Sequence, residues 1–257
     1  MSTTIELVGV TKRYGGVSAL DGVDARFASG VATGIVGESG SGKSTLGRMI
    51  VGLSDPSAGQ VLVDGNDLAD LLKWRTRRTE YLQTVQLVAQ DTTTTFDPRH
   101  RVRHAVRRPA ELLGGMDRRA ADAAVEEIVD ELGIDAELLD RYPDQLSGGQ
   151  RQRLSIARAL VVRPEILVCD EAVSALDISA QAVVLNLLKG YVRTHSLGLV
   201  FISHGLPATG FLTEQLLVMN AGTIVESGST ATVLNHPQHP YTQQLVESYR
   251  RIDMSAA

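Results

Sequence analysis

GESGSGKST, residues 37–45, is the stretch on which the reading of this chain turns. It follows an apolar run, Val31 to Val36, and leads into Leu46, Met49, Ile50 and Leu53, whose spacing suits the buried stripe of a helix. A strand, a glycine turn and a helix carrying G-x-x-x-x-G-K-[ST] make a phosphate-binding loop, because glycines let successive backbone N–H groups turn inward around an anion. The helix N-terminus adds partial positive charge at the same place. Gly37, Glu38, Ser39, Gly40, Ser41, Gly42, Lys43, Ser44 and Thr45 would then wrap a nucleotide's phosphates. Lys43 would reach the β- and γ-phosphates as a point charge, and the Ser44 hydroxyl would ligate Mg²⁺. The flanking strand and helix argue against a glycine turn with no ligand.

Upstream, Ile5, Leu7 and Val10 begin a strand, TKRYGG (Thr11 to Gly16) reads as a turn, and a second strand runs through Leu20, Val23 and Phe27. Tyr14 in that turn has two readings: a half-buried tyrosine at a strand edge, or an exposed ring that stacks on a purine. Downstream, the strand Gln60 to Val63 precedes an arginine-rich segment in which Leu71 and Trp74 would pack one face of a short helix. Arg75, Arg77 and Arg78 read as a solvated face. The strand Val85 to Ala89 ends at Gln90. From Asp91 to Val162 the pattern is helical: Val125, Ile128, Val129 and Leu132 repeat at helical spacing, and Gly133 stands where a C-cap glycine belongs. The segment ends in LSGGQRQRLSIARAL, where Ser147 would cap a helix striped by Leu154, Ile156, Ala157 and Leu160.

Ile166 to Cys169 is a short apolar strand ending in two carboxylates, Asp170 and Glu171. A helix from about Ser179 carries Val183, Val184, Leu187 and Leu188, and the strand Leu197 to Ile202 ends at Ser203 and His204. Alternating strands and helices predict a mostly parallel sheet covered on both faces, with ligand chemistry at the carboxyl ends of its strands. The phosphate loop, Gln90, Asp170, Glu171 and His204 all follow strand ends. Asp170 is placed to hold Mg²⁺, and Glu171 to orient or deprotonate a water for in-line attack on the γ-phosphorus. The paired glycines of LSGGQ expose N–H groups at a helix start, which also suits a phosphate. His236 and His239 have metal-ligand spacing, but each precedes a proline that pushes it toward extended geometry, which disfavours a metal site.

Length and charge bound the rest. A chain of 257 residues, 43% apolar, buries a substantial core. With 25 basic and 30 acidic residues its net charge is −5, which provides no general footprint for nucleic acid. No apolar run approaches the roughly 20 residues that cross a bilayer, and MSTTIELVGV lacks the regions of a signal peptide. The chain is therefore expected in the cytoplasm. Its single cysteine, Cys169, lies in an apolar run and reads as core.

The order of motifs resembles the ATP-binding cassette family from end to end: GESGSGKST, VAQD with Gln90, LSGGQ, ILVCDE, SALD with Asp177, and ISHG with His204. The resemblance implies a P-loop NTPase core, a RecA-like mostly parallel sheet with an antiparallel β-subdomain, and an inserted α-helical subdomain. On this reading 1–257 is one cassette, with residues 1–90 and 163–257 as core and 91–162 as the helical insertion. It further implies ATP and Mg²⁺ as cofactors and a head-to-tail pair of cassettes in which each ATP lies between one phosphate loop and the other chain's LSGGQ. Tyr14 matches the aromatic that stacks on adenine, Gln90 the glutamine that senses Mg²⁺ and water, and His204 the γ-phosphate histidine. Asp177 matches the aspartate that links the two sites, and Ser147, Gly148, Gly149 and Gln150 would serve the partner's ATP.

Within that family FDPRHRVRHAVRRP, SALD followed by SAQAVVLNLL, and HPQHPYTQQL look like the bacterial importers of di- and oligopeptides and of nickel. This implies two transmembrane permease subunits, a second cassette that is either a different chain or another copy of this one, an extracellular binding protein, and attachment at the cytoplasmic face of the inner membrane. VAQDTTTTFDP, Ala172 and Gly205 depart from the usual pattern without removing a catalytic group. The single cysteine and short end imply no iron-sulfur cluster and favour the nickel-type form. The competing classes are a soluble cassette ATPase acting on nucleic acid or ribosomes, whose usual insertions or second cassette this sequence lacks, and a phosphate-loop kinase, which has no need of LSGGQ.

Overall fold

The structure is a computed structural model that describes residues 2–91 and 95–255. Thr92–Thr94, most of the unusual threonine run, lie outside them. The chain runs β1 (Thr4–Tyr14), β2 (Val17–Ala28), β3 (Ala32–Val36), α1 (Lys43–Ile50), β4 (Ala58–Val63), β5 (Asn66–Asp67), α2 (Leu68–Lys73), α3 (Arg75–Thr84) and β6 (Val85–Val88). A helical stretch follows with α4 (Val102–Leu112), α5 (Arg118–Glu131), two short 3-10 turns and α6 (Gly148–Leu160). The rest alternates β7 (Ile166–Asp170), α7 (Ile178–His195), β8 (Gly198–Ile202), α8 (Leu206–Leu212), β9 (Gln215–Asn220), β10 (Thr223–Ser229), α9 (Thr230–Asn235) and α10 (Pro240–Ser255).

Among the described residues the strands form two sheets. One has the order β10-β9-β3-β8-β7-β6, parallel except for β10; the other, β2-β1-β4-β5, is antiparallel. The central strands β3 and β8 are buried along their whole length, as strands covered on both faces must be. Their register decides where chemistry lies. Ile35 pairs with Ile202, Asp170 with Ile202, and Val88 with Cys169, so the carboxyl ends of β3, β8, β7 and β6 meet at one sheet edge.

One apolar core lies between the two sheets around α1, whose Leu46, Met49 and Ile50 are fully buried. A second joins the far side of the parallel sheet to α4, α5, α6 and α7. The stripes Val125, Ile128, Val129, Leu132 and Leu154, Ile156, Ala157, Leu160 are its centre. A third, smaller core seats α9 and α10 against Val36, Leu216 and Val218.

Local readings differ in four places. β1 continues through Thr11 to Tyr14, because pairing with β2 extends it, and the turn narrows to Gly15 and Gly16. Leu53 falls beyond the end of α1, where Gly52 at φ 70° turns the chain, and is exposed. Trp74 separates α2 from α3 in extended conformation and is 69% exposed, so it packs no helix face. On α7, Val184 and Leu188 are buried, whereas Val183 faces outward.

Candidate nucleotide site

The phosphate loop leaves β3 and enters α1 with Gly42 as N-cap at φ 103°. Only glycine fits there, since a Cβ would stand 2.4 Å from the Ala19 carbonyl. Lys43, the first residue of α1, is buried, and its ammonium donates to the carbonyls of Gly37 at 2.8 Å and Glu38 at 2.7 Å. Ser41 Oγ lies 3.4 Å away. Burial pulls the ammonium below its usual range, opposed by the nearby Glu171, Asp170 and Glu38 carboxylates. A phosphate arriving here would meet a positive charge already directed by two backbone carbonyls.

Ser44 Oγ donates to Asp170 Oδ1 at 3.0 Å. A hydroxyl from α1 and a carboxylate from the end of β7 thus converge, and hard oxygen donors of this kind suit Mg²⁺. Burial, first of all, raises the Asp170 carboxyl above its ordinary range, while the Ser44 hydroxyl works the other way. A cation at this point would relieve the cost of burying that charge.

Glu171 follows at φ 49°, an uncommon conformation for a residue with a side chain. Its N–H donates to the Ile202 carbonyl at 2.9 Å, and its carbonyl accepts from Ser174 N–H and Oγ at 3.2 and 3.0 Å. Those bonds hold the backbone turned while the carboxylate faces the cleft. Gln90 Nε2 donates to Glu171 Oε2 at 2.9 Å, and His204 Nδ1 is 3.6 Å from the same oxygen. Residues from the ends of β6, β7 and β8 therefore meet on one carboxylate oxygen. The cleft in front of them, about 420 Å³, is lined by Tyr14, Ala19, Ser39, Gly40, Gly42, Lys43, Ser44, Thr45, Gln90 and Glu171. Tyr14 is half exposed at its mouth, with Lys12 Nζ 5.2 Å from the ring centre.

LSGGQ lies elsewhere. Ser147 caps α6 by accepting from the Gln150 N–H at 3.2 Å, while Gln150 Oε1 accepts from the Ser147 N–H at 2.9 Å. These residues, with Gly148, Gly149, Arg153 and Asp177, line a separate groove of about 300 Å³ that shares no lining residue with the phosphate cleft. Asp177 caps α7 through the Ala180 N–H at 2.8 Å, and the Ser179 hydroxyl together with that N–H holds its carboxyl below the ordinary range. The two surfaces differ in kind: one carries Lys43 and Glu171, the other the N-terminus of α6.

Three contributors escape a motif reading. Ala19 supplies a carbonyl against the loop, Ser203 Oγ accepts the Gly205 N–H beside His204, and Tyr241 Oη accepts the Glu38 N–H. Tyr241 and Glu38 are 203 positions apart, a contact for which local pattern holds no signal. His236 and His239 form no group of metal-ligating side chains among the described residues; His239 Nδ1 instead accepts the Tyr241 N–H.

Comparison with known proteins bears on the family and the fold. The ABC transporter family matches residues 20–174, and the oligopeptide/dipeptide transporter C-terminal region matches residues 225–257. The oligopeptide transport ATP-binding protein OppF of Lactococcus lactis subsp. lactis (strain IL1403) is 38% identical over 239 residues, 93% of this chain and 74% of that protein. The probable D,D-dipeptide transport ATP-binding protein DdpF of Escherichia coli (strain K12) is 39% identical over 237 residues, 92% of this chain and 72% of that one. Among solved structures, the dimeric structure of MJ0796, a bacterial ABC transporter cassette, has a TM-score of 0.78 at 28% identity, covering 88% of this chain and 98% of that one. The same cassette in a post-hydrolysis state bound to ADP and Pi also has a TM-score of 0.78, at 27% identity over 88% of this chain and 98% of that one. This chain belongs to the ABC transporter family, as one of its ATP-hydrolysing cassettes.

Proposed function

We propose that this cassette powers a bacterial importer of peptides, and that Glu171 is its general base. The observation that carries the catalytic part is the meeting of Gln90 and His204 on one Glu171 oxygen, in a cleft lined also by Lys43. Lys43 binds the β- and γ-phosphates, Tyr14 stacks on the adenine, and the backbone of Gly40 to Thr45 surrounds the phosphate oxygens. Glu171 takes a proton from the attacking water, Gln90 orients that water, and His204 contacts the γ-phosphate. Ser44 and Asp170, with Gln90, would hold Mg²⁺, which when bound supplies charge neutralisation at the phosphate oxygens.

The separate groove at Ser147, Gly149 and Asp177 supports a second cassette that completes each ATP site. A transport role calls for permease subunits with this chain at their cytoplasmic face, and among the described residues no helix is long and apolar enough to cross a membrane. An extracellular binding protein would deliver cargo to them. The oligopeptide/dipeptide C-terminal region and the names of the relatives favour peptides over nickel as that cargo. Uptake of labelled oligopeptides by cells whose only copy carries Glu171→Gln tests this reading. Peptide uptake should be lost and nickel uptake kept; the reverse would reassign the cargo, and no change in either would contradict an import role.

A further inference from the structure

α10 carries Tyr241, Leu245, Val246 and Tyr249 along one apolar stripe, packed into the small core that contains Val36 and Leu206. Val36 is the last residue before the phosphate loop, and Leu206 stands two residues after His204. The helix thus lies against both loops. Its two tyrosine hydroxyls each meet a peptide unit that serves the nucleotide site. In the Gly37–Glu38 peptide the N–H donates to Tyr241 Oη at 2.9 Å, and the carbonyl accepts from Lys43 Nζ at 2.8 Å. In the His204–Gly205 peptide the carbonyl accepts from the Tyr249 hydroxyl, and the N–H donates to Ser203 Oγ at 3.0 Å. Each plane is gripped from both sides. Gly37 has no side chain to limit its rotation, so the grip on its peptide matters most.

We propose that Tyr241 and Tyr249 are positioning residues for ATP hydrolysis: Tyr241 fixes the carbonyl that directs the Lys43 ammonium, and Tyr249 fixes the backbone that presents the His204 ring to Glu171. The inference rests on the reading of this chain as an ATP hydrolase. Neither tyrosine lines the phosphate cleft, so each acts through the peptide it holds. The two contacts serve different steps. Lys43 binds phosphate before and during reaction, which makes Tyr241 a determinant of affinity. His204 faces the carboxylate that handles water, which makes Tyr249 a determinant of turnover.

Tyr241→Phe and Tyr249→Phe keep the packed rings and remove only the hydroxyls. In the full chain with its partner cassette, Tyr241→Phe should raise the ATP KM about two- to tenfold with kcat held, the effect of one lost hydrogen bond. Tyr249→Phe should lower kcat by a similar factor with KM held. Amide exchange in the nucleotide-free chain should quicken at Glu38 in the first variant and at Gly205 in the second, while both melt with the unaltered protein. The proposal is overturned if kinetics and exchange are unchanged, or if both variants shift KM and kcat together through a lower melting temperature. An unaltered chain that hydrolyses nothing would contradict the ATPase reading, and the exchange comparison would still decide the role of α10.

Discussion

Glu171 occupies a left-handed backbone conformation that costs a residue with a side chain about 1–3 kcal/mol unless its surroundings impose it. Here the Ile202 carbonyl and Ser174 impose it, and the result is a carboxylate aimed at the cleft. Glu171→Gln should bind ATP normally yet release phosphate about 100-fold more slowly or worse, the usual scale of a lost general base. Phosphate release beside a binding titration checks this, and normal turnover would remove Glu171 from the role. Lys43→Ala, by contrast, should weaken ATP binding itself about 10- to 100-fold, because a charge-assisted contact to phosphate is lost. Unchanged affinity in a nucleotide titration would count against the loop assignment. The placement of Lys43, Asp170 and His204 at one sheet edge was legible because each motif follows an apolar strand, and parallel sheets bring those ends together. Tyr241 was not, since its contact depends on where a distant helix docks.

At the scale of elements, α6 shows how one short sequence serves two purposes. The Ser147 and Gln150 capping box ends the loop and starts the helix, and the same residues line the second groove. Ser147→Ala should cost about 1 kcal/mol of stability, read as a lower denaturant midpoint. Further along, Leu154 is fully buried among the helices, so Leu154→Ala should cost about 2–5 kcal/mol by leaving a cavity. A loss below 1 kcal/mol would mean that this helix packs more loosely than described. The helical stripes were legible because apolar spacing survives in any context that buries one face. The break at Trp74 was not: a tryptophan between two short helices looks apolar in sequence, and only the extended backbone there turns it to solvent.

For the molecule as a whole, the two ends of the parallel sheet differ in kind. The carboxyl end holds the nucleotide cleft, while the amino end holds a larger cleft of about 600 Å³ lined by Arg163, Glu165, Tyr191 and His195 among others. Arg163 there donates to Glu127, Glu131 and Tyr191, tying α5 to α7 across the segment that leads into β7. The Arg163 hydrogen bond, first of all, holds the Glu131 carboxyl below its ordinary range. Its stabilisation is therefore present above the ordinary glutamate range and disappears as pH falls through the depressed folded value. Glu131→Gln should cost up to about 1 kcal/mol at neutral pH, a modest figure for a partly exposed network, and progressively less in acid. Melting curves at several pH values would show a constant difference if the linkage were absent. The mostly parallel sheet was legible from the alternation of strands and helices, whereas the cassette architecture was legible only through the resemblance carried by motif order.

The proposed second cassette and permeases lead to the decisive measurement. Purification of this chain from native membranes in ATP and Mg²⁺, followed by mass spectrometry of what accompanies it, should recover a second cassette and two permeases together with a peptide-binding protein. Recovery of the chain alone, or with nucleic-acid machinery, would contradict the importer account while leaving the ATPase chemistry in place.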